Sequence, residues 1–91
     1  MFPMYLDNAK VLEYTIKGNY GYVETVDNGE IIKKEKIVYY AITKYDNDNV
    51  YYTFGCNESF EVISDFVWED VSEAEEGLPK TIGQEIIWLQ R

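Results

Sequence analysis

The sequence predicts a β-rich α+β domain, an antiparallel meander of about five to six strands with one short acidic helix. Three observations predict it: short alternating apolar runs, the Gly, Asn and Asp pairs that separate them, and a single stretch near residue 72 with helix-start chemistry. With 91 residues the chain allows one domain, residues 1–91, around one core. Apolar residues make up 46% and aromatics 16%, enough burial to offset the entropy of ordering, which excludes an intrinsically disordered chain.

Residues 10–16 (KVLEYTI) alternate, with Leu12, Tyr14 and Ile16 on one face, and Gly18-Asn19 breaks the run. A second alternating stretch, residues 20–26 (YGYVETV), is expected to fold back on the first as a hairpin. Asn28-Gly29 is the strongest turn signal in the chain, because a type I′ turn needs positive φ at both central residues. The third run extends from Ile31 to Tyr45. It begins charged (KKEK), which predicts a part projecting beyond the core, and ends as IVYYAIT, apolar on both faces like a central strand covered on two sides. Asp46-Asn47-Asp48-Asn49 predicts a turn, and Val50, Tyr52, Phe54 and Cys56 then share one face of a fourth strand, which makes Cys56 a core residue. Residues 60–64 (FEVIS) read as a fifth strand, although Phe60, Ile63, Val67 and Val71 also match helical spacing and periodicity alone does not separate the two. Ser72 and Glu75 have capping-box spacing, and Gly77 and Pro79 predict a stop, so the helix is expected over 70–77. EIIWLQ (85–90) is expected to be ordered, as a final strand or a segment laid across the sheet.

The charge is segregated. The net charge is −9, yet residues 1–44 carry six acids and six lysines, whereas residues 45–79 carry ten acids and no basic residue. Such a field repels phosphate backbones and anionic headgroups, so direct nucleic-acid binding and membrane binding are not expected. No run approaches the roughly 18 apolar residues of a membrane helix, the N-terminal MFPMYLDNAK lacks a signal-like pattern, and one cysteine permits no intrachain disulfide. A cytoplasmic protein is the expectation.

Catalytic chemistry is thinly supplied. There is no His, no Gly-rich phosphate loop and no G-x-S-x-G, and Cys56 has no His to activate it, so no enzyme activity and no cofactor or metal are expected. Asp46-x-Asp48 lacks the Gly and the bidentate Glu of a calcium loop. What remains is surface. The acids Asp65, Glu69, Asp70, Glu73, Glu75 and Glu76, with Tyr51, Tyr52, Phe66 and Trp68 as aromatic anchors, form the candidate partner-binding set. Its complement is a partner protein with a basic surface, toward which such a field speeds encounter.

The stretch YYTFGCNESFEVISDFVWEDVSEAEEG, a strand ending in F-x-C-N, a turn, F-E-V-I-x-D and an S-x-x-E helix start, resembles small meander-plus-helix proteins of bacterial toxin-immunity type. In size, acidity and tyrosine content the chain resembles phage-encoded inhibitors of host defence, including DNA mimics and anti-CRISPR proteins. These resemblances imply a non-enzymatic inhibitor in the bacterial cytoplasm, directed at a defence effector or nuclease, or alternatively an immunity protein for a cognate toxin. A small-molecule-sequestering oligomer with Tyr-rich faces is the expectation from a different class.

Overall fold

The structure is a computed structural model describing residues 1–91. It contains β1 (Tyr5–Leu6), β2 (Ala9–Tyr14), β3 (Tyr22–Asp27), β4 (Glu30–Lys36), β5 (Tyr39–Lys44), β6 (Tyr51–Cys56), β7 (Val62–Trp68), α1 (Val71–Ile82) and β8 (Leu89–Gln90). The main sheet runs β1-β2-β5-β6-β7, all antiparallel, with β8 also on β2, and β3-β4 form a separate two-stranded ribbon. This is the β-rich α+β meander that the alternating runs predict, with eight strands rather than five or six.

The expected hairpin between residues 10–16 and 20–26 does not form. Instead β2 pairs with β5 and β3 pairs with β4, so the chain from Ala9 to Lys44 is one long hairpin with Asn28-Gly29 at its tip. The intervening residues keep the two arms together: Thr15, Gly18 and Tyr20 donate backbone N–H groups to Tyr40, Val38 and Ile37 at 2.9–3.0 Å. Gly18-Asn19 is therefore an irregularity inside one arm rather than a reversal. Both tip residues have positive φ, 52° at Asn28 and 80° at Gly29, as the turn requires. The single run expected over Ile31–Tyr45 divides into β4 and β5 at Ile37-Val38, and the Lys33-Lys34-Glu35-Lys36 part does project, exposed along most of its length. A further tight turn, at Asp7-Asn8 with φ 49° and 67°, joins β1 to β2.

β5 is the central strand, and Tyr40, Ala41, Ile42 and Thr43 are all buried. Its two faces have different covers. On the outer face, Ala41, Phe54 and Cys56 pack with Val11, Leu6 and Phe2, and Phe2 stacks on Tyr14 with centroids 4.7 Å apart. On the inner face Tyr40 and Ile37 pack with Leu78 of α1, ringed by Phe66, Trp68, Ile86 and Trp88. Along β2 and the two residues after it the buried positions are Ala9, Val11, Glu13 and Thr15, whereas Leu12 and Tyr14 are half-buried and Ile16 is exposed.

The helix differs from the expectation at both ends. Its N-cap is Asp70, not Ser72: the Asp70 carboxylate accepts from the Glu73 N–H at 2.7 Å. It also continues through Gly77 and Pro79 to Ile82. Gly77 is not a stop but a close approach, since a Cβ there would clash with the ring of Trp68. Pro79 has no N–H for the Glu75 carbonyl one turn back. The indole N–H of Trp88 donates to that carbonyl instead, at 3.3 Å. The EIIWLQ tail thus lies against the helix and contributes only Leu89–Gln90 as strand.

Replacing Gly by Ala inside a helix ordinarily stabilises by up to about 1 kcal/mol. Here Gly77→Ala is expected to destabilise by about 1–3 kcal/mol, because the Trp68 ring must move. Urea unfolding checks it, and a midpoint at or above that of the unmodified protein contradicts the contact.

Candidate functional site

The sequence-predicted residues fall on the segment β6-β7-α1. Asp65 is exposed on β7, Glu69 and Asp70 form the exposed turn into the helix, and Glu73 and Glu76, exposed, lie one turn apart on α1. None of these five makes an ion pair, as the ion pairs in the structure are Lys17–Glu58 and Lys33–Glu35. The backbone therefore holds a run of uncompensated carboxylates along one strand, one turn and one helix.

Glu75, the sixth, does not join them. It is half-buried, and its carboxylate reaches the carboxyl group of Glu13 on the sheet beneath. Glu13 is only 5% exposed and its Oε1 has no hydrogen-bond partner. It begins a cross-strand row, Glu13–Ile42–Thr53–Phe66, on the inner face of the sheet. Burial pushes its carboxyl up to about 7, the neighbouring Glu75 carboxyl adds to the rise, and Gln90 pulls the other way. The signal in the sequence was one acid inside the apolar run KVLEYTI.

The aromatic residues divide between the two faces. Phe66 and Trp68 belong to the inner-face cluster, and the Trp68 indole donates to Thr53 Oγ1 at 2.9 Å. Tyr52 lies on the outer face, stacked beside Phe54 at 5.8 Å, and Tyr51 is half-buried opposite Trp68. Most of the tyrosines are half-buried or buried, and Tyr5 and Tyr22 are the two that stand more than half exposed. Tyr39 stacks on Phe60 at 4.6 Å, so much of the tyrosine content forms core. Cys56 is fully buried in the outer-face core, and burial pushes its thiol up to about 12, which keeps it protonated and unreactive.

Tyr52, Asp65, Phe66, Val67 and Trp68 line a shallow groove of about 420 Å³ along β7. Val67, which the sequence reading did not single out, is 57% exposed in it. No group of three or more His, Cys, Asp or Glu side chains is placed to hold a metal ion, and no helix is long and apolar enough to cross a membrane. In comparisons with protein-family models, curated proteins and solved structures, nothing matches the chain.

The Glu13 environment sets a pH dependence. Between the ordinary carboxylate pKa, about 4.3, and about 7, the folded chain holds a proton that the unfolded chain has released. Stability from this group is therefore complete below the unfolded value and is lost as pH rises through about 7. The melting temperature is expected to be higher at pH 5 than at pH 8, and Glu13→Gln is expected to raise it at pH 8 by about 5 °C and to flatten the difference. An unchanged difference in Glu13→Gln contradicts the assignment.

Proposed function

We propose that this protein is a non-enzymatic inhibitor that binds a partner protein through the acidic surface of β7 and α1, occluding a basic site such as the nucleic-acid groove of a defence effector or nuclease. The observation that carries this reading is the placement of Asp65, Glu69, Asp70, Glu73 and Glu76, exposed and without ion pairs, in a segment that holds no basic residue from 45 to 79. An ordinary surface intersperses its signs, because crowding of like charge lowers stability. Charge of one sign on a fixed frame raises encounter rates with the opposite sign and rejects other partners. Burial of Tyr40 and the packing of the half-buried Tyr14, Tyr39 and Tyr45 against the core leave the tyrosines a smaller part in this surface than the acids. The apolar contact falls instead to the groove at Val67 and Tyr52.

The test is capture of partners from bacterial lysate, in parallel with the unmodified protein and the variant Glu69→Lys/Glu73→Lys/Glu76→Lys. Asp70 is left intact because it caps the helix. The variant is expected to keep its circular dichroism spectrum and to lose at least 100-fold in affinity for a partner that the unmodified protein releases sharply as salt rises. A variant that retains the same partner, released at the same salt, contradicts the proposal.

A further inference from the structure

The outer edge of β7 is the one long unpaired edge of the main sheet. β7 pairs with β6 on one side only, while the far side of β2 carries the two-residue strands β1 and β8. Outside its ladder with β6, residues 62–68 make no backbone hydrogen bond. Such an edge presents a row of free N–H and C=O groups, and soluble proteins usually blunt it with Lys, Pro or a bulge. β7 (VISDFVW) has no Lys, Arg or Pro, and its one irregularity lies at its start, opposite Gly55-Cys56.

The single charge on this strand is Asp65, exposed at its centre, with Glu61 and Glu69 four residues away on either side. A second copy of β7 added antiparallel about its midpoint would set Asp65 against Asp65 and Glu61 against Glu69. Like charges directly opposite one another destabilise strand pairing, whereas opposite charges stabilise it. The edge therefore rejects its own copy and favours a strand carrying cations. Two residues from Asp65 on the same side, exposed Val67 lies in the groove with Tyr52, which offers an apolar side chain a place to bury.

Resting on the acidic-surface reading above, we propose that the partner is engaged by strand addition: an extended segment that carries a basic and an apolar residue two positions apart, and so on one face, pairs antiparallel with the outer edge of β7, a Lys or Arg against Asp65 and an apolar side chain against Val67. Main-chain hydrogen bonds then supply affinity, and the acids set which strand is accepted.

The probe is the labelled nine-residue peptide Val-Thr-Lys-Thr-Val-Thr-Lys-Thr-Val, in which Lys and Val alternate along one face, beside a twin of the same charge N-methylated along its whole length. The plain peptide is expected to bind and to slow amide exchange within residues 63–67, and the twin to bind at least tenfold more weakly. Asp65→Lys is expected to weaken the plain peptide at least tenfold, and Asp65→Asn, which keeps the side-chain shape, to weaken it by less. Equal binding of the two peptides, unchanged exchange in β7, or binding of neither overturns strand addition. If the peptides bind equally and Glu69→Lys/Glu73→Lys/Glu76→Lys abolishes both, strand addition falls while the acidic surface stands. If that variant also keeps its lysate partner, both fall.

Discussion

The contact between the Trp68 ring and the bare backbone at Gly77 holds the acidic half of the molecule in place. α1 contains Gly77 and Pro79 in its second half, and a 12-residue helix with both is not stable by itself. Its order comes from outside: the Asp70 cap at the start, Leu78 buried on the sheet, Trp68 fixed by Thr53 beneath Gly77, and the Trp88 indole at the carbonyl that Pro79 leaves free. Because Glu73 and Glu76 ride on this helix and Glu69 and Asp70 lead into it, the direction in which they present their charge follows from that seat.

The two halves of the chain divide the work. The half up to Lys44, balanced in charge, builds the long hairpin from Ala9 to Lys44 whose inner part, β2 and β5, forms the middle of the sheet. The half from Tyr45 onward adds β6, β7 and α1 and bears the charge excess. Glu13 joins them, a buried carboxyl of the first half facing Glu75 of the second. A carboxyl in that position is best held as a neutral acid, so loss of its proton weakens the attachment of the same helix that carries the exposed acids.

What could be read from the sequence was local. The Asn28-Gly29 turn, the doubly covered run at Tyr39–Thr43, the shared face of Tyr52, Phe54 and Cys56 and the projecting lysines follow from period-two alternation and turn chemistry, and all are present. The partner of β2 was not legible, because Gly18-Asn19 looks like a reversal while backbone hydrogen bonds to Val38 and Ile37 carry the strand through it. Gly77 and Pro79 read as helix stops for the same reason: two indoles distant in sequence compensate for them. Of the predicted acids, five are exposed as expected from composition, but only the fold shows that Glu75 turns inward to Glu13 and that β7 ends the sheet.

The central claim is that this surface acts through its field, and the association rate measures a field most directly. For a partner captured from lysate, the account predicts that the association rate constant falls at least tenfold between 50 and 500 mM salt, with the dissociation rate nearly constant, because screening acts on encounter. An association rate that stays flat over that range would contradict it and would leave the exposed acids of this segment as solvated surface.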